Sequence, residues 1–143
     1  MTVNCYKVAP LVSAFGAWGK KHRLAFESVH DFFTRAEYLK GWVRFEGPWE
    51  RTADDVIFRK LTETAFPCGG VLVISDSSYR IGLGAFEVDC SNILEFVSRH
   101  KELFGDHFFD TDLIMLSQDE CAAWLFHHEG VYIYANETML RTI

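Results

Sequence analysis

The apolar residues of this chain switch between helical and strand-like spacing, and the switches lay out its elements. Over residues 28–39, Phe32, Phe33, Ala36 and Leu39 recur on one helical face, with Ser28 placed to cap the start and Gly41 to end it. Trp42, Val43 and Phe45 predict a short strand that Gly47-Pro48 stops. A second helix is expected from near Thr52 to before Pro67, with Asp54 and Asp55 in its first turn complementing the helix dipole and Val56, Ile57, Phe58 and Leu61 facing the core. After Cys68-Gly69-Gly70 the pattern turns strand-like: residues 71–74, a turn at Ser75-Asp76-Ser77-Ser78, and residues 79–88 predict a hairpin.

Asp89 or Ser91 caps the clearest helix of the chain. In it Ile93, Leu94, Phe96, Val97, His100, Leu103 and Phe104 form an apolar stripe, and Gly105 closes the end. Residues 112–116 predict a further strand. Residues 122–127 and 131–135 predict a second hairpin around His128-Glu129-Gly130, where glycine supplies a positive φ. The segment 14–19 mixes small residues with Phe15 and Trp18 and fits a loop, a ligand-facing turn or a strand equally well.

Helix-rich first and strand-rich later, this order predicts an α+β fold: a mostly antiparallel sheet with two or three helices packed on it, in a single domain over 1–143. At 143 residues such a domain buries roughly two thirds of its unfolded surface, and neither a repeat nor a Pro-, Gly- or Ser-rich linker divides it. With 13 Phe, 5 Tyr and 4 Trp, the composition is that of a packed core and excludes a disordered chain.

Charge adds an asymmetry. Residues 1–70 carry a net +2 and residues 71–143 a net −8, for −6 overall. An acidic half repels nucleic acid and favours a basic partner, or simply keeps the surface soluble. The cluster Lys20-Lys21-His22-Arg23 beside Trp18 and Phe26 is too short to reverse that reading, so no nucleic acid is expected as partner. No apolar run approaches the roughly 20 residues of a membrane span, and Met1 to Ala17 lacks the pattern of a signal peptide. Cys5, Cys68, Cys90 and Cys121 show no C-x-x-C pair and no disulfide framework, which points to free thiols in a reducing cytoplasm.

Reactive chemistry is weakly marked. His107, Asp110, Asp112, His127, His128 and Glu129 include the side chains of general acid-base or metal chemistry, but no H-x-x-x-H or H-E-x-x-H pair sets them at ligand spacing. No G-x-S-x-G elbow exists. Glu87 and Asp89 oppose activation of Cys90, and Gly82-Leu83-Gly84 falls inside a predicted strand instead of at a phosphate-binding turn. The reading is therefore no catalytic residue, no bound metal and no cofactor. Tyr132 and Tyr134 share one strand face opposite Val131 and Ile133; with the aliphatic face in the core, the tyrosines are available to a partner.

The stretch Phe108-Phe109-Asp110-Thr111-Asp112-Leu113-Ile114-Met115, followed by Trp124-Leu125-Phe126-His127-His128-Glu129-Gly130-Val131, resembles the C-terminal part of small bacterial immunity proteins of polymorphic-toxin systems. Such proteins accompany toxins of contact-dependent or type VI secretion systems. The resemblance implies a protein that covers the active site of a cognate, basic toxin domain and performs no catalysis. The expected partner-binding residues are Asp110, Asp112, Asp119, Glu120, Trp124, His128, Glu129, Tyr132 and Tyr134. The alternative is a small hydrolase or lyase in which His107, Asp110, Asp112, His127 and Glu129 converge in a cleft.

Overall fold

In the computed structural model, which describes residues 5–80 and 84–143, one seven-stranded sheet organises the chain. Its strands are β1 (Lys7–Ala9), β2 (Val43–Arg44), β3 (Gly70–Ile74), β4 (Ala85–Asp89), β5 (Leu113–Ser117), β6 (Ala123–His127) and β7 (Val131–Ala135), in the spatial order β1-β4-β3-β5-β6-β7-β2. Every pairing is antiparallel. The helices are α1 (Leu11–Lys21), α2 (Val29–Ala36), α3 (Asp54–Leu61), α4 (Asp76–Arg80), α5 (Ile93–Ser98), α6 (His100–Phe104) and α7 (Glu137–Leu140). The fold is α+β, with more helices than the two or three that the periodicity suggests.

Alternation along the strands feeds two cores. Val71, Val73, Phe86, Val88, Met115, Trp124 and Phe126 join Ile57, Phe58 and Leu61 of α3 and Ile93, Phe96 and Val97 of α5 on one face. Leu72, Ile74, Ile114, Leu116, Leu125 and Ile133 join Phe15 and Trp18 of α1, Phe32 and Ala36 of α2 and Leu140 of α7 on the other. With helices on both faces, β3, β5 and β6 are buried almost throughout. That is why 71–74 and 113–116 read as unbroken apolar runs although the sheet is antiparallel.

Several boundaries differ from the sequence reading, each for a local reason. The segment 14–19 lies inside α1, where Phe15 and Trp18 reach the sheet and the Trp18 indole N–H donates to the Ser117 carbonyl at 2.8 Å; Gly16 and Gly19 hide the helical signal by lowering intrinsic propensity. The turn expected at 75–78 winds instead into α4, because the Ser75 N–H bonds to Ser78 Oγ and the Ser78 N–H to the Ser75 carbonyl. β4 accordingly begins at Ala85, not at Tyr79, and residues 81–83 of that expected strand lie outside the described residues. Gly84, at φ +96°, brings its backbone against the Ala9 carbonyl, an approach that a Cβ would block.

The helix expected through 91–104 breaks at Arg99 into α5 and α6, and the left-handed Gly105 ends the second piece. Helix α3 starts at Asp54, after a 3-10 turn at Trp49–Arg51, and α2 starts on Ser28, whose Oγ accepts the Asp31 N–H at 3.0 Å. Among the described residues no helix is long and apolar enough to cross a membrane, and all four cysteines are free thiols.

Candidate functional site

Strand β5 runs from one end of the sheet to the other, and that separates the nine expected partner-binding residues. Asp112 precedes β5 and His128 and Glu129 follow β6 at one end, with Asp110 in the loop that leads there. Asp119 and Glu120 occupy the β5–β6 turn at the opposite end, roughly 16 Å away along five residues of strand. There they line the same open groove as Lys21, His22, Arg23 and Arg141, so cations of this chain already stand opposite them. The expected carboxylates therefore form two groups at opposite ends of the sheet.

The aromatic expectations change too. Trp124 is 2% exposed, in the core, and its indole N–H donates to the Ala65 carbonyl at 2.8 Å; it is no surface anchor. Tyr132 and Tyr134 are half-buried against the core formed with α3, because that sheet face is covered as well as the aliphatic one. The tyrosines that do stand out are Tyr38, 84% exposed just after α2, and Tyr79, 55% exposed in α4.

The sheet end that carries the 128–130 turn is built around His127. Its ring lies parallel to Phe33 of α2 on one side, 5.8 Å between centroids and 6° between planes. His128 stacks with it as well, at 4.2 Å and 28°. His127 Nδ1 accepts the Glu129 N–H at 3.2 Å, so the ring proton sits on Nε2, which donates to Glu37 Oε2 at 3.0 Å. Asp112 Oδ1 accepts both the backbone N–H of His128 (2.8 Å) and its Nδ1–H (2.9 Å), fixing the turn to the start of β5. Gly130 has φ +81° and Trp49 lies against it, with the ring where a Cβ would stand only 2.5 Å away.

Two small clefts adjoin these residues. One, of about 230 Å³, is lined by His30, Phe33, Tyr79 and Asp112; the other, of about 160 Å³, by Glu37, Trp42, His127 and Glu129. Burial, and then Asp112 beside it, push the Tyr79 phenol above its ordinary pKa, so its O–H stays a donor at neutral pH. Of the proposed catalytic set, Asp112, His127 and Glu129 meet here. His107 instead faces Asp54 at the start of α3, at 3.5 Å. Glu37 completes the site and carries no sequence signal, since it follows α2 and is separated from His127 by 90 positions.

Spacing along single elements argued against metal ligands, yet Asp112, His127 and His128 each offer a ligand atom within 4.8 Å of the others. The ligands come from the ends of two neighbouring strands, a juxtaposition that no linear motif encodes. Another histidine, His100, is shut in the core: Nδ1 donates to the Asp106 carbonyl at 2.7 Å and Nε2 faces Ser75 Oγ at 3.5 Å. Burial lowers its pKa to about 4, so the ring is neutral. At 1% exposure for both His100 and Ser75, this pair has no route to a substrate.

Comparison with known proteins found no matching family model, no matching curated protein and no matching solved structure.

Proposed function

We propose that this protein is a cytoplasmic binding protein of the immunity type, which neutralises a cognate basic toxin domain by covering its active site. The observation that carries the reading is the composition of the sheet end around the 128–130 turn. Exposed Asp110, His128 and Glu129 and the partly exposed Asp112 and Glu37 stand on or beside strands fixed by the core, with the half-exposed Tyr79 next to Asp112. Carboxylates that pair with Lys or Arg, with an aromatic anchor among them on a rigid frame, suit protein recognition. The Ser75 and His100 pair, the nearest approach to a nucleophile and its base, is buried.

The test is co-purification, calorimetry and stopped-flow association kinetics with the product of the neighbouring gene. A 1:1 complex whose association slows as salt rises supports the reading, because steering by exposed charge is screened over about 10 Å at 0.1 M salt. A salt-independent association rate removes the role of the acidic end. The second reading, a small hydrolase or lyase, rests on the meeting of Asp112, His127 and Glu129 beside a cleft. Turnover of ester, amide or glycoside substrates that is lost in His127→Gln would favour it.

A further inference from the structure

We infer that Asp112, His127 and His128 form a binding site for one divalent transition-metal ion of the zinc class, with Glu129 as a fourth donor. The three side chains already bring a ligand atom each within 4.8 Å of one another, and Glu129 Oε2 lies 3.8 Å from His127 Nδ1. Donors around one tetrahedral zinc stand about 3.3 Å apart, given bonds of about 2.0–2.2 Å, so the set has to contract by an ångström or so. His128, whose side chain is 58% exposed at the start of a turn, has the freedom to make that adjustment.

The protonation pattern favours the ion. His127 donates its Nε2–H to Glu37 and so presents the unprotonated Nδ1 towards Glu129, the arrangement in which a carboxylate on the far nitrogen orients a metal-binding imidazole. At His128, the Nδ1 proton lies 2.9 Å from Asp112 Oδ1. An ion seated between them replaces that proton, which moves to Nε2, leaving a neutral ring ligated through Nδ1. The Glu129 N–H loses Nδ1 as acceptor, a cost that the bonds to the ion have to exceed. The rings of His127 and His128 are stacked at 4.2 Å and 28°, so His128 has to turn out of the stack before both Nδ1 lone pairs point at one ion. Two nitrogens with two carboxylate oxygens select zinc, cobalt or nickel over calcium and magnesium, which want oxygen alone.

Zinc and cobalt titration of the metal-free protein, by calorimetry and by the visible d–d absorption of Co²⁺, tests the site without any partner or substrate, so its outcome is separate from that of the immunity reading. The expected result is saturable 1:1 binding, with Zn²⁺ displacing Co²⁺. His128→Ala, a change at an exposed side chain, should weaken binding at least 10-fold, and Glu37→Gln about 10-fold through loss of the orienting carboxylate. Asp119→Ala, at the far end of the sheet, should leave it unchanged. Absence of saturable binding at micromolar metal overturns the site, as does binding that is unaltered in His128→Ala.

Discussion

Glu37 Oε2 accepts the Nε2 proton of His127 at 3.0 Å, and this bond ties the end of α2 to the end of β6. The two partners differ in what they risk. Glu37 is 45% exposed at its side chain, whereas His127 is 10% exposed and stacked on Phe33. Glu37→Ala should therefore cost about 1 kcal/mol or less in urea unfolding, as for a screened surface pair. His127→Ala should cost about 2–3 kcal/mol, since it opens a cavity under Phe33 and strips the Glu129 N–H of its acceptor.

Glu129 separates binding from folding cleanly. Its side chain is 70% exposed, and its backbone, not its carboxylate, holds the hairpin through the N–H to His127 and the carbonyl to Arg44. If the proposed toxin partner docks at this end, Glu129→Lys should lower its affinity by roughly 2–5 kcal/mol when the charge is buried in the complex, with the melting temperature nearly unchanged. Asp119→Lys and Glu120→Lys should change affinity little, because they occupy the other end of the sheet. Equal losses from both ends, measured by calorimetry, would place the interface along a sheet edge instead.

Asp54 is an anchor more than a dipole partner. Only 8% exposed, its carboxylate accepts the Phe108 N–H at 2.7 Å and the Phe109 N–H at 3.3 Å, which fixes the loop entering β5. Asp54→Ala leaves two backbone donors without an acceptor and should cost about 2–4 kcal/mol. Asp55→Ala, one residue on and paired only with Arg59 at 4.0 Å, should cost under about 0.5 kcal/mol. Denaturant midpoints of the two variants give the comparison directly.

His100 makes stability depend on pH. Its folded pKa is about 4, against an ordinary 6.5 when unfolded. Between those values the unfolded chain holds the extra proton, so stability is full above about pH 6.5, falls as the pH drops towards 4 and levels off below. The loss over the window is about 3 kcal/mol. In His100→Leu that component should vanish: the stability gap between wild type and variant, read from urea melts, should narrow by about that amount from pH 7 to pH 4. A constant gap would mean that His100 titrates alike in the folded and unfolded chain, and a widening gap that it is protonated in the fold.

Much of the fold is legible in the sequence because it is local. Ser28 caps α2, Gly105 ends α6, Gly130 turns the last hairpin, and the apolar spacing places β3, β5, β6 and β7 within a residue or two, while α3 ends at Leu61, well short of the boundary expected at Pro67. Each of these signals acts over a few residues through backbone geometry or the pattern of one face. The α+β class follows from their order.

Tertiary structure decided the rest. Strand alternation reveals two faces but not what covers each one, and α1 on the second face buries what a one-sided sheet would have left to solvent. The tyrosine face of β7 packs against the other core for the same reason, and Trp124 with it, while exposure falls to Tyr38 and Tyr79. The pairing of β5 with β6 carries Asp112 to His128 and sends Asp119 and Glu120 to the far end; the docking of α2 brings Glu37 to His127. These contacts span up to 90 positions, and a chain records them only as residues fit to meet, since what joins them is the burial of distant apolar surface against one sheet.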